Sequence, residues 1–141
     1  MSELYKIVLT SCLTIAGGLF VLLAGQTIGK LLIEPVYSAR MAIGRVRYAM
    51  LFHANIYANP GTARPEFMDA ASIALRTYAA ELSAAADAVP WYRLFSFLRV
   101  VPRWKAIDDT VQALIGLSNL VYGSDHEGVE ERREIIRRAL G

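Results

Sequence analysis

The sequence predicts an all-α fold: one N-terminal transmembrane helix joined to a small cytoplasmic helical bundle. Three observations predict it. No charged residue stands between Lys6 and Lys30. Beyond that run, apolar residues recur at steps of three and four, the spacing of a helix face. No stretch reads as a strand, an internal repeat or a low-complexity tract. The expected divisions are a transmembrane anchor over 1–34, a helical bundle over 35–123 and a charged C-terminal helix over 124–141.

Composition agrees with an anchor. Of the 141 residues, 55% are hydrophobic and the mean hydropathy is +0.34, high for an ordinary soluble chain. The segment Ile7 to Gly29 forms a helix about 35 Å long at ~1.5 Å per residue. A hydrocarbon core is ~30 Å thick, so the segment crosses it with a modest tilt. A cleaved signal peptide wants a basic start and a shorter apolar run. The run Leu9-Thr10-Ser11-Cys12 looks like a lipoprotein cleavage box, but too little apolar sequence precedes it. Cys12 has no partner cysteine, so a disulfide framework is excluded and the thiol reads as a small packing group.

The flanking charges set an orientation. Lys6 is the only basic residue before the span, whereas Lys30, Arg40, Arg45 and Arg47 follow it. Basic residues this close to a span mark its cytoplasmic side. The expectation is a single-pass protein of a bacterial inner membrane, N-terminus outside and C-terminal domain cytoplasmic. The net charge of +2 does not mark a nucleic-acid binder.

Within the span, Gly17, Val21, Gly25 and Gly29 are spaced by four. Thr10, Thr14 and Gly18 make a second track of small side chains. Such faces let membrane helices approach closely, because lipid supplies no hydrophobic drive for association. Gln26 adds an amide that wants a partner at that depth. The bland alternative is that glycine is simply common in membrane helices.

Glu34-Pro35 follows. Proline lacks an N–H and disfavours helix in the residue before it, which predicts a kink or a helix restart. Val36, Ala39, Ile43, Val46, Met50, His53 and Tyr57 then form one apolar stripe, and Met41, Tyr48 and Leu51 a second. A helix apolar on two sides is buried between neighbours or lies against a membrane. Asn59-Pro60-Gly61 ends it. A helix from about Glu66 to Ala88 carries the most regular pattern, through Met68, Ala71, Leu75, Tyr78, Leu82, Ala85 and Val89. Its alanines permit close approach. Another helix runs from about Ala106 to Tyr122, with Asp108 and Asp109 in its first turn and Gly123 as its cap. Ser124 to Gly128 reads as a polar link. A charged helix from Val129 to Leu140 ends the chain, with Glu130/Arg133 and Glu134/Arg138 spaced for ion pairs.

Between the last two apolar helices lies a segment of mixed character. Trp91, Tyr92, Phe95, Phe97 and Trp104 alternate with Arg93, Arg99, Arg103 and Lys105. Such a mixture suits a membrane interface, with rings at headgroup level and cations toward anionic lipid. The spacing of Leu94, Phe95 and Leu98 favours the other reading, a connector that closes the bundle core.

Chemistry is sparse. His53 sits on an apolar stripe without a second ligand at helical spacing, so it reads as a buried, hydrogen-bonded histidine. His126 reads as solvated. Asn55, Asn59 and Asn119 are amides on apolar helices, and together with His53 they suggest a buried polar network. No phosphate loop, nucleophile elbow or zinc-protease motif is present. No catalytic residue, metal site or cofactor is expected, and an enzyme is the least favoured class.

Several stretches carry a resemblance. Leu32-Ile33-Glu34-Pro35, the run from Phe52 to Pro60, Val89-Pro90-Trp91-Tyr92 with Phe95, and Leu114 to Asn119 resemble a widespread uncharacterised family of small bacterial membrane-anchored helical proteins. The similarity spans Leu32 to Tyr122. It implies a hydrophobic N-terminus followed by helices, and no chemistry. Within the last stretch, Gly116 and Ser118 are poor helix formers, which suggests close packing against the alanine-rich helix.

The leading expectation is a non-enzymatic scaffold or oligomeric membrane component acting through helix–helix contacts. Its partners would be the lipid bilayer and a second copy or another membrane protein, with no nucleic acid. The alternatives are a membrane-perturbing effector of pore-forming, defence or toxin-like character, and an accessory subunit of a larger complex.

Overall fold

A computed structural model describes residues 2–140, with the side chain of Ser2 undescribed. Every regular element among them is helical. In order these are α1 (Ser2–Ile28), a π-helical turn (Gly29–Ile33), α2 (Glu34–Phe52), α3 (Ala54–Ala58), α4 (Pro65–Asp87), α5 (Tyr92–Phe97), α6 (Trp104–Leu120) and α7 (His126–Leu140). The chain divides into two compact units at Glu34/Pro35.

The first unit is α1 and the π-helical turn. α1 belongs to the one helix among the described residues that is long and apolar enough to cross a membrane, and none of its apolar window is buried. Its polar side chains are mostly satisfied within the helix. Thr10, Thr14 and Thr27 donate to the carbonyls of Lys6, Thr10 and Leu23 at 2.8, 2.9 and 2.8 Å. Self-satisfaction of this kind is what a hydrocarbon environment requires.

The proline produces neither a break nor a fresh start. Helical structure runs without a gap from Ser2 to Phe52. The π-helical turn precedes Pro35, and the Glu34 N–H donates to the Gly29 carbonyl, five residues back. In an α-helix the Pro35 ring would crowd the Leu31 carbonyl and leave it without a donor. Widening the preceding turn is one way to carry a helix past this.

The second unit is the bundle. α4 and α6 form its centre, and α7 packs along α6. The main core joins Val46 of α2, Tyr57 of α3, Leu75, Ala79 and Leu82 of α4, and Leu114 and Leu117 of α6. Val129, Ile136 and Leu140 belong to the same cluster, so the C-terminal helix is part of the bundle and not a separate piece. A smaller cluster holds Val36 and Ala39 of α2 against Val89 and Val101. Small residues make the close contacts: Ala71, Ala79, Ala86, Ala113 and Ser118 are all buried.

Polar links tie the helices together. Arg76 of α4 donates to Ser118 Oγ at 3.1 Å and to Asn119 Oδ1 at 2.6 Å. Arg45 pairs with Glu81 at 3.0 Å. Gly116 faces α7 and not α4, since a Cβ there would stand 3.0 Å from Arg132 Nε. The turn after α3 uses Gly61 at φ +74°, with its N–H donating to the Val121 carbonyl at 2.9 Å. A Cβ at that position would meet the Gly123 carbonyl oxygen at 2.8 Å, so only glycine fits.

Helix boundaries differ from expectation at three places. The helix expected to carry the stripe from Val36 to Tyr57 is interrupted at His53, which separates α2 from α3. α6 begins at Trp104, which moves Asp108 and Asp109 beyond its first turn. α7 begins at His126, inside the stretch that reads as a polar link. The reason is a cap: Asp125 Oδ1 accepts from the Gly128 N–H at 2.9 Å. Replacing Asp125 with Ala is expected to lower bundle stability by about 1 kcal/mol. Thermal melting of the full chain in detergent, followed by circular dichroism, checks this.

Candidate functional site

The segment from Trp91 to Lys105 is where the structure departs most from an ordinary core. Trp91 is 70% exposed and Phe97 is 83% exposed. Leu94, Leu98 and Trp104 are also exposed. Of the Leu94, Phe95 and Leu98 spacing that favoured a core connector, only Phe95 turns inward, and Leu94 and Leu98 do not. The helical spacing that favoured it exists only within α5, which is too short to bring those residues onto one buried face. The inward groups are Tyr92 and Phe95, which pack with Val100 against the Val36–Ala39–Val89–Val101 cluster.

Tyr92 holds the segment. Its hydroxyl donates to the Pro102 carbonyl at 2.8 Å, and its ring meets the edge of Trp104 with centroids 5.0 Å apart. Burial pushes its pKa up to about 12. The two ends of α5 have unusual backbones. Trp91 has φ +49° and Arg99 has φ +57°, both left-handed and neither glycine. Around Arg99 the chain closes a Schellman motif: its N–H donates to the Ser96 carbonyl at 3.1 Å, and the Val100 N–H to the Phe95 carbonyl at 2.9 Å. Glycine is the usual occupant of that position. An arginine there costs about 1 kcal/mol.

Beside this segment lies a groove of about 1030 Å³. Arg40 and Arg47 of α2, Arg93, Arg99 and Arg103 of the segment and Arg138 of α7 line it, and none of its described lining side chains is acidic. Arg138 is held by Glu134 at 2.7 Å, which keeps the Glu134 carboxyl below its ordinary range. Arg47 donates to the Leu140 carbonyl. The guanidinium groups of Arg40, Arg93, Arg99 and Arg103 make no hydrogen bond or ion pair among the described residues.

Two more apolar surfaces are open. The second stripe of α2, with Met41, Tyr48 and Leu51, faces outward, as do Tyr37 and Phe52. On α1 and at the start of the π-helical turn, a Cβ added at Gly17, Gly25 or Gly29 would meet nothing within 4 Å, and Val21 is exposed. The Gln26 side chain makes no hydrogen bond among the described residues.

The expected buried polar network is not formed. Asn55, Asn59 and Asn119 are exposed. Asn59 bonds to the Asn55 carbonyl at 3.1 Å, and Asn119 serves Arg76. α3 is a single turn that leaves Asn55, within it, and Asn59, at its end, on the outer side. The buried polar side chains are instead Ser72, Thr110 and Ser118. His53 does not bear out the expectation of a satisfied histidine. Its Nδ1 is buried with no hydrogen-bond partner, and its ring packs edge-on to Phe52 at 5.0 Å. Among the described residues, no group of His, Cys, Asp and Glu could hold a metal ion. Comparisons of the chain with protein-family models, curated proteins and solved structures return no match.

The arginine groove escapes sequence reading because its members come from three separated stretches. The segment's own mixture of rings and cations is legible as it stands.

Two outcomes follow. Arg99→Gly is expected to raise thermal stability by about 1 kcal/mol, since glycine carries no left-handed penalty; melting of the purified chain measures it. Burial holds the His53 pKa below 6.5. Below that pH the unfolded chain binds the extra proton, so stability falls as pH drops from 6.5 to the folded pKa and then levels off. His53→Phe should flatten this limb in melts across that window. Loss of the Glu134 contribution belongs to a separate window below 4.5.

Proposed function

We propose that this chain is a single-pass membrane protein acting as a non-enzymatic scaffold or membrane-complex component. α1 crosses the bilayer and the bundle lies on the cytoplasmic side. The observation that carries this reading is the state of α1. It exposes its whole apolar window, its glycine face is open, and the bundle closes a core without it.

The inference is energetic. Apolar surface on this scale is unfavourable in water at about 25 cal/mol per Å². Lipid removes that cost but gives no hydrophobic reason for helices to associate. Association then depends on close packing, and a face of glycines spaced by four supplies the geometry. Gln26 adds a group that gains from a hydrogen bond across such an interface. The basic residues Lys30, Arg40, Arg45 and Arg47 support the cytoplasmic placement.

Assembly through this face is testable directly. The full chain in mild detergent should give a defined oligomer by native mass spectrometry. Replacing both Gly25 and Gly29 with Leu should convert it to monomer without altering the melting of the bundle. A monomeric wild-type protein, in detergent and in nanodiscs alike, would refute self-assembly. One stoichiometric partner co-purifying with the chain would identify it as a subunit of a hetero-complex.

A further inference from the structure

From the geometry of the arginine groove we infer that it is a binding site for the phosphate headgroup of an anionic phospholipid, with the rings of the Trp91–Trp104 segment seated among the lipids around it. The inference rests on the membrane-anchored reading and adds a specific lipid class to it.

The charge argument comes first. Four guanidinium groups, those of Arg40, Arg93, Arg99 and Arg103, face one groove with no acidic side chain among its described lining residues. Like charges gathered in one concavity repel one another and focus a positive potential there. A bound phosphate relieves that repulsion. Arginine suits phosphate particularly well, because its planar fork can donate two parallel hydrogen bonds to two oxygens. A lysine cluster would give charge without that geometry.

The apolar argument decides between a lipid and a soluble phosphate. Phe97 lines the same groove and is almost wholly exposed. Trp91, Leu94 and Leu98 are exposed on the same short segment. A free phosphate ion gives these side chains no environment. A phospholipid does, since its headgroup sits a few ångströms from its acyl chains. Rings with a polar edge favour that depth.

Position within the bundle agrees. The segment packs through Tyr92, Phe95, Val100 and Val101 onto Val36 and Ala39. These are residues of the first turns of α2, just after the boundary at Glu34/Pro35. Arg40 is one residue beyond that contact. The groove therefore runs along α2 from Arg40, one turn beyond Val36.

The backbone adds an independent sign. Arg99 occupies a left-handed position that glycine would fill at lower cost. The arginine side chain contributes no hydrogen bond or ion pair to the fold that would offset this. Local strain retained without a structural return is characteristic of binding sites.

Trp91 and Trp104 are the only tryptophans in the chain, so intrinsic fluorescence reports on this segment. The full-length protein is reconstituted into nanodiscs of phosphatidylcholine alone and of phosphatidylcholine mixed equally with phosphatidylglycerol. A blue-shifted emission, quenched by brominated acyl chains, is expected in the mixed lipid and reduced in phosphatidylcholine. The variant Arg93→Gln/Arg99→Gln/Arg103→Gln should lose the difference, each neutralisation weakening the headgroup preference about fivefold. The corresponding Arg→Lys variant should retain part of it, which separates lost charge from lost folding. Identical emission from the wild-type protein in both lipids overturns the proposal. Reversal of the shift by inorganic phosphate, against chloride at matched ionic strength, also overturns it and assigns the groove to a soluble phosphate. Failure of the chain to stay in phosphatidylcholine nanodiscs would instead refute the anchor.

Discussion

The structure depends on one constraint: α1 has no buried residue in its apolar window, so the bundle closes its core without that surface. Its backbone is satisfied by helix formation, and its threonine hydroxyls bond within the helix. What remains is almost purely apolar surface plus Gln26. A helix of this kind gains nothing from water and little from a bundle that is already closed. In the membrane-anchored reading proposed above, lipid would meet the apolar demand and a neighbouring helix the demand of the glycine face. The two environments are complementary and do not compete, because they act on different sides of one helix.

The bundle can satisfy itself because its helices approach closely. α4 and α6 meet through alanines and a serine, and the larger groups Leu75, Leu82, Leu114 and Leu117 fill the layers between them. This much was legible in the residues. The three-four spacing from Met68 to Val89 marks the buried face of α4, and the small residues at Gly116 and Ser118 mark close packing. The partner of Gly116 was not legible. Its neighbour is Arg132 of α7, a residue whose charge hides its role as a packing stem.

Other features were hidden for identifiable reasons. A proline inside a helical run reads as a kink, yet a π-helical turn absorbs it, and no residue type announces such a turn. Amides at Asn55, Asn59 and Asn119 fall near apolar positions in sequence, but Asn55 and Asn59 are exposed at the single turn of α3 and Asn119 is exposed on α6, where it accepts from Arg76. The left-handed residues Trp91 and Arg99 carry no signal, because the usual marker of that conformation is glycine and glycine is absent. Sequence periodicity also misled within the aromatic segment. It assumes a helix long enough to have faces, whereas α5 covers only Tyr92 to Phe97.

That short element explains how one segment holds opposite characters. Two left-handed residues, Trp91 and Arg99, bracket α5 and keep it short. Tyr92 and Phe95 are thereby fixed inward, and the residues between and beyond them are forced outward. A longer helix would have buried one continuous stripe and solvated the rest, with leucines and tryptophans inside. The short element instead leaves Trp91, Phe97 and Leu98 exposed on the segment that carries Arg93, Arg99 and Arg103. The backbone strain and the surface composition are thus one feature: the conformation that costs stability is the conformation that displays rings and cations side by side.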